Sequence, residues 1–261
     1  MQIARLLHSF GLRPGETKRS LQGVPAYFAD RRQVRAQMLN SETGADFSFG
    51  PAYPIFGERN QPAGSASGHY FHQDLHVAQK IAERKPRRHV DVGSRIDGFV
   101  AHVATFRQIE VLDLRPLNTH IKNIDFLQCD LMDPFSVEEN STDSLSCLHA
   151  IEHFGLGRYG DQIDLDGWKT GLASLTKMLE RKGTLYLSVP TSEHQRIEFN
   201  AHRVFSIPYL RRTLEQDFHI EDLSFIDDGG GFIPNVDPRS ESAERSFGAK
   251  YGCSVWTLSK R

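Results

Sequence analysis

The residues best placed to do chemistry are acids at the ends of three successive apolar runs. Asp91 lies in Val90-Asp91-Val92-Gly93, Asp113 closes the second run, and Asp130 closes the third in Gln128-Cys129-Asp130-Leu131. A carboxylate offers two acceptor oxygens, so an acid at Asp113 can take both hydroxyls of a ribose. One at Asp130 can accept from the exocyclic amine of an adenine. A fourth run leads into His149-Ala150-Ile151-Glu152-His153. His153 is the first candidate for a general base, because an imidazole is both neutral and basic near pH 7. His202 is the alternative base. Glu152 would orient His153 or meet an amino group of the ligand. Arg158, Tyr159 and Asp161 lie in a loop with three glycines, and Asn200, His202 and Arg203 form a second polar cluster. These residues would hold a polar acceptor, or else satisfy backbone groups within ordered loops.

Such acids can act together only if a sheet brings the strand ends side by side. Strands are predicted at 89–92, 110–114, 124–129, 144–151, 184–189, 220–226 and 253–258. Helices are predicted through Leu75–Ala82, from Phe99 to Ala104, over 168–179 and over 207–216, with a turn at Arg181-Lys182-Gly183. This alternation predicts βαβ units and a mostly parallel sheet covered on both faces, with the ligand site at the carboxyl ends of its strands. Residues 68–261 form this domain. Residues 1–67 form an extension, irregular apart from a helical stretch near 28–39, whose Gly/Pro/Ser-rich end reads as a loop or lid. The long Gly-rich join at 227–252 reads as functional or mobile. Tyr70, Phe71, His72 and Gln73 stand where a segment can cover the ligand, although the aromatic members also suit core packing; Trp168 and Phe205 are assigned to packing.

The order of these features resembles the class I S-adenosylmethionine-dependent methyltransferases, whose first strand leads into a glycine-rich turn and whose second strand ends in a ribose-binding acid. A closer resemblance spans about residues 68–259. "HVDVGSRIDGFVAHVA", "DSLSCLHAIEHFGLGRYGDQID", "LYLSVP", "RIEFNAHRVF" and the C-terminal "YGC" are similar to a bacterial family catalogued as domain of unknown function 268. That resemblance implies a Rossmann-like fold of seven strands with the last antiparallel, S-adenosylmethionine as cofactor, and a place in surface-polysaccharide biosynthesis. It implies a cofactor site made of Asp91, Gly93, Ser94, Arg95, Gly98, Asp113, Leu114, Asp130, Leu131 and His149. The acceptor would be a small molecule or glycan precursor, methylated on oxygen. One departure stands out: Arg95 and Asp97 occupy places where the family of enzymes usually carries glycine. Arg95 could pair with the ligand's carboxylate through its guanidinium fork, or block the pocket.

Other readings make different demands on the same residues. A nicotinamide dehydrogenase fits Gly93 and Gly98 but not the acids at Asp91 and Asp130. A phosphate loop of the G-x-x-x-x-G-K-[ST] type fails, because Phe99-Val100 follow Gly98. His149-x-x-Glu152-His153 matches a zinc-hydrolase pattern that needs a helix, whereas this run leaves a strand. A scaffold that kept the fold and lost the chemistry would explain Arg95 but not the polar run at 152–166.

Composition sets outer bounds. The 261 residues are 39% hydrophobic and 25% charged, an ordinary soluble balance. A net charge of −2 offers no broad basic field, so no nucleic-acid partner is expected. Three widely spaced cysteines without C-x-x-C suggest a reducing cytoplasm, with neither a disulfide framework nor a metal site. The N-terminus lacks signal-peptide features, and no apolar run approaches the roughly 18–20 residues of a membrane span. The extension could dock a partner or a second copy in a homo-oligomer.

Overall fold

The computed structural model describes residues 2–261. The chain divides into a unit ending at Ser65 and a second unit, Ala66–Arg261. In the first, α1 (Gln2–Ser9) is followed by α2 (Pro14–Met38) and the single turn α3 (Thr43–Asp46). The helix predicted near 28–39 is therefore part of a 25-residue helix. Pro14 sits in the first turn, where its missing N–H breaks no helical bond, and the helix continues through Gly23 and past Pro25. Residues 47–65 carry no helix or strand.

The second unit begins with α4 (His69–Arg84), which buries Gln73, Asp74, Val77, Ala78 and Ile81 along one face. Lys85 ends it in the left-handed region before Pro86, which cannot continue a helix. There follow β1 (His89–Val92), α5 (Ala101–Ala104), β2 (Ile109–Asp113), β3 (Ile124–Gln128), β4 (Thr142–Leu148), α6 (Gly167–Met178) and β5 (Leu179–Thr191). Next come β6 (Arg196–Glu198), β7 (His202–Val204), α7 (Ile207–Leu214), β8 (Phe218–Ile226), β9 (Phe232–Ile233), α8 (Glu241–Glu244) and β10 (Gly252–Lys260). The main sheet has the order β3-β2-β1-β4-β5-β10-β8-β9. Pairs from β3 through β5 are parallel, and β10 runs antiparallel to both β5 and β8. The mostly parallel α/β sheet predicted from the sequence is present, with the two-residue β9 added as an eighth strand at one edge.

Apolar residues cover both faces. Val77, Ile81, Phe99 and Val103 pack with Val111, Tyr186 and Val255 on one side, while Trp168, Leu172, Leu175, Leu210 and Leu214 pack with Leu145, Leu187 and Trp256 on the other. Trp168 meets Phe205 edge-on at 5.1 Å between ring centroids, as core partners do. Burial of both faces explains why the central strands read as continuous apolar runs. Strand order reverses between β1 and β4, which opens a crevice at their carboxyl ends.

Two local expectations differ from the structure. The turn predicted at 181–183 is a bulge inside β5, where Lys182 takes φ +66 and the register against β4 shifts. The fourth strand stops at Leu148 rather than continuing to 151. His149 then adopts φ +50, its N–H donating to the Ser188 carbonyl at 3.1 Å, and one tight turn spans Ile151–His153. The join at 227–252 is organised by carboxylates: Asp227 accepts from the Gly229 and Gly231 amides, and Asp228 from those of Lys250 and Tyr251.

Candidate functional site

The turn after β1 is built from the inside. Asp91 is fully buried and accepts from the Ser94 amide at 3.0 Å, the Ser94 hydroxyl at 2.7 Å and the Ser146 hydroxyl. Burial pushes its carboxyl up from the usual 3.8 to about 7, against the pull of those serine bonds. Gly93 follows at φ +70, where a Cβ would stand 2.8 Å from that of Ala150. Only glycine suits both the backbone and the gap. Asp91, Ser94 and Gly98, expected on a ligand, thus serve the turn instead: Ser94 is held by Asp91, and Gly98 leaves room for the Asp74 carboxylate. Arg95 grips Asp97 through two bonds of 2.9–3.0 Å and lies 5.2 Å from the Tyr70 ring centre. It does not line the crevice at the strand ends, and its guanidinium is occupied by Asp97.

A carboxyl raised in this way binds more protons folded than unfolded between pH 3.8 and about 7. Its contribution to stability is therefore fully present below that window and lost as pH rises through it. Asp91→Asn should show a smaller fall in urea midpoint than wild type between about pH 5 and pH 8. Parallel slopes in the two proteins would mean that Asp91 is ionised like an exposed carboxylate.

An open cleft lies over the carboxyl ends of β1, β2 and β4. Its floor and walls bring together Gly93, Asp113, Leu114, Asp130, Leu131 and His149 from the expected cofactor set, and His153, Tyr159 and Asp161 from the expected catalytic and acceptor sets. Arg115, Cys129, Met132 and Phe154 also line it, and the sequence reading missed them. The mix of apolar walls with a few acids is of the kind that holds a small organic ligand.

Asp113 is not free in this cleft. Arg115 donates to both its oxygens, Nε at 2.9 Å and Nη2 at 2.6 Å, while the Arg115 amide adds a bond of 2.8 Å. The Arg115 guanidinium also lies 4.5 Å from the centre of the Tyr159 ring. The signal that could have found this pair is the spacing: an aspartate readily closes a turn onto the amide two residues on.

Two histidines, His149 and His153, line the same cleft. His153 Nδ1 lies 2.6 Å from the Ala201 carbonyl, which can only accept, so Nδ1 carries the proton and Nε2 keeps its lone pair. Burial lowers the His153 pKa below 6.5, outweighing Glu152, whose Oε1 is 3.9 Å from Nε2. Glu152 orients a different ring from the one expected: its Oε1 is 2.7 Å from His149 Nδ1. Its Oε2 is buried without a hydrogen-bond partner, as is His149 Nε2. His202 sits on the β6–β7 hairpin, its ring 6.2 Å from that of His153 and its Nε2 3.6 Å from Glu198. The structure does not place it on the cleft wall.

Several expected acceptor residues are engaged in building loops. Arg203 is 5% exposed, and its guanidinium donates to the carbonyls of Phe154 at 2.6 Å and Leu165 at 2.9 Å. It clamps the 154–165 loop to β7 and does not face the cleft. Asp161 accepts from the amides of Gly155, Gly157 and Tyr159 at 2.8–3.2 Å, which fixes that loop from within and leaves little of its carboxylate for proton transfer. Arg158 donates to the Ala201 carbonyl at 3.1 Å, and Asn200 is exposed at the hairpin tip. Tyr70 and Phe71 are 45% and 42% exposed, so they are not core residues. His149-x-x-Glu152-His153 spans a strand end and a single turn, so the two histidines do not share the helical face that the zinc-hydrolase pattern needs.

Comparisons with known proteins agree with this architecture. Residues 99–214 match a family model described as "Caenorhabditis protein of unknown function, DUF268". The match covers less of the chain than the motifs suggested, and its description does not support the bacterial provenance expected from them. No curated protein sequence matches the chain. Among solved structures, the 1,6-didemethyltoxoflavin-N1-methyltransferase of Burkholderia thailandensis, with 1,6-didemethyltoxoflavin and S-adenosylhomocysteine bound, is 16% identical. Its alignment covers 72% of this chain and 78% of that one at a TM-score of 0.51. The [4+2]-cyclase SpnF is 13% identical, with coverage of 76% and 85% and a TM-score of 0.52. One fold thus carries two different reactions, and at these identities it is the fold alone that is shared. The second unit has the Rossmann-like architecture of the class I methyltransferases.

Proposed function

We propose that this chain is an S-adenosylmethionine-dependent methyltransferase acting on a hydroxyl of a small molecule, a sugar or surface-glycan precursor. The observation that carries the reading is the convergence of Gly93, Asp113, Asp130 and His153 on one cleft at the point where strand order reverses. The donor set fits an adenosyl ligand. Asp113 ends β2 with two acceptor oxygens for a ribose, Asp130 follows β3, and Leu114, Leu131 and Met132 supply apolar wall for a purine. The Burkholderia relative of the same fold is solved with S-adenosylhomocysteine bound, which supports that choice. The sugar class of acceptor rests on the family resemblance, and the three buried free cysteines suit a reducing cytoplasm.

S-adenosylmethionine supplies an electrophilic methyl on a positively charged sulfur. The chain's residues must hold the acceptor oxygen in line with it and take a proton from that oxygen. His153 Nε2 is the lone-pair nitrogen on the cleft wall. Ala201 fixes its tautomer, and Glu152 stabilises the imidazolium once it forms. Asp161 and Arg203 keep the acceptor-side loop in one conformation.

Calorimetric titration with S-adenosylhomocysteine tests the cofactor directly. Saturable one-to-one binding is expected, and no heat up to millimolar ligand would overturn the reading in favour of a scaffold that kept only the fold. The Arg115–Asp113 pair adds a second expectation. A ribose must displace that internal partner, and a partly exposed pair is worth about 0.2–1 kcal/mol. Arg115→Gln should therefore tighten S-adenosylhomocysteine binding, by up to about fivefold. Weaker binding would show that Arg115 touches the ligand instead.

A further inference from the structure

Three residues far apart in sequence meet behind the cleft wall. His69 opens α4, His149 follows β4, and Cys253 is the second residue of β10. One ring nitrogen of each histidine and the Cys253 sulfur all lie within 4.8 Å of one another. The zinc-hydrolase pattern in the sequence paired His149 with His153; the fold pairs it with these two residues instead.

We propose that His69, His149 and Cys253 form a mononuclear site for a divalent transition metal, zinc by the chemistry of its donors. Two imidazoles and a thiolate are borderline and soft ligands of the kind that zinc takes. Each histidine is already oriented from behind. Glu152 holds His149 Nδ1 at 2.7 Å, which leaves Nε2 buried and without a hydrogen-bond partner. A backbone hydrogen bond at Tyr251 holds His69, and Asp228 in turn accepts from the Tyr251 amide at 2.8 Å. A carboxylate or carbonyl behind each ligating histidine is the usual support of a zinc site. His149 also keeps a left-handed backbone at φ +50, uncommon for a residue with a side chain and concentrated at functional positions. The Cys253 thiol is fully buried beside the His149 ring, and its oxygen partners, the Gln73 side chain at 4.0 Å and the Ser254 carbonyl at 3.8 Å, are weak at such distances.

The geometry needs a modest contraction. Zinc–nitrogen bonds of about 2.0–2.1 Å and a zinc–sulfur bond of about 2.3 Å put tetrahedral ligand atoms roughly 3.3–3.6 Å apart. Drawing the group in from 4.8 Å requires shifts of about an ångström. The His69 ring, now stacked parallel to that of His149 with centroids 5.2 Å apart, must tilt to close it. His69 is the half-buried member at a helix start, so it is the one free to move. Three protein ligands leave a tetrahedral ion one position for an outside oxygen or sulfur, the arrangement of a catalytic rather than a structural zinc. His149 belongs both to this group and to the cleft wall, which places the ion beside the proposed methyl-transfer site.

The test is metal binding by the purified full chain after removal of metals with a chelator. Titration with cobalt(II) is expected to saturate at one ion per chain and to produce a thiolate-to-cobalt charge-transfer band, which zinc then abolishes. Cys253→Ser should lose that band, and His69→Gln should weaken zinc affinity at least tenfold in competition with a chromophoric chelator. Glu152→Gln, which weakens the support behind His149 and also reaches His153, is read in metal binding alone and should cost about 10–100-fold in zinc affinity. Circular dichroism and the thermal midpoint identify a variant that has failed to fold; His69→Gln, at a half-buried position, keeps the test open if Cys253→Ser does not fold. No saturable cobalt or zinc binding at micromolar metal would overturn the site, as would unchanged binding in His69→Gln. Cobalt binding without S-adenosylhomocysteine binding would keep this site and sink the cofactor reading; the reverse would sink only the metal.

Discussion

Replacing His153 with alanine should lower turnover by about 10²–10⁴-fold, the range for loss of a positioned general base, and leave S-adenosylhomocysteine affinity nearly intact. The asymmetry follows from position. His153 is anchored at the Ala201 carbonyl and meets the Tyr159 ring, whereas Asp113 is held by Arg115. The acid limb of the pH profile carries the same assignment. Burial holds the His153 pKa below 6.5, so the free base persists to lower pH than an exposed imidazole would allow, and the limb of kcat/KM should fall below pH 6.5. The sign is fixed by the environment: desolvation disfavours the imidazolium, and the Glu152 carboxylate only partly compensates. Retained turnover in His153→Ala would move the base role to His202, which lies one ring away. A limb above pH 6.5 would mean that His153 is not the titrating group.

The sheet was legible because its central strands are buried on both faces and so read as apolar runs. Elements whose stability comes from tertiary partners were not. The β6–β7 hairpin has three-residue strands and polar composition, and nothing local marks it. The bulge at Lys182 reads as a turn, because a positive φ satisfies both; only pairing with β4 and β10 decides between them. In the site, residue types pointed to the cleft but not to which way a side chain faces. Asp91 and Asp113 look alike in the sequence, yet one is sealed beneath the turn by Ser94 and Ser146 while the other lines the cleft. The same limit hid the grouping of His69 with His149 and Cys253, which depends on the helix start, β4 and β10 arriving at one point.

Asp113→Ala should weaken S-adenosylhomocysteine binding by roughly 1.5–3 kcal/mol, the cost of losing hydrogen bonds to a charged acceptor, which is about 10–150-fold in affinity. The same substitution also frees Arg115, whose guanidinium now closes on both Asp113 oxygens and lies over Tyr159. A released cation beside the ligand's own ammonium could weaken binding by repulsion alone, even if the ribose never bonded to Asp113. A double-mutant cycle separates the two causes. If Asp113 accepts from the ribose, Asp113→Ala/Arg115→Gln should bind as weakly as Asp113→Ala, because neither variant can supply the acceptor. If the loss comes from the freed guanidinium, the second substitution should restore most of the affinity. Salt adds an independent check. Repulsion at a half-exposed arginine weakens as ionic strength rises, whereas a missing acceptor stays missing. A deficit in Asp113→Ala that persists in high salt and in the double variant would place the ribose on Asp113; affinity equal to wild type would remove Asp113 from the ligand site altogether.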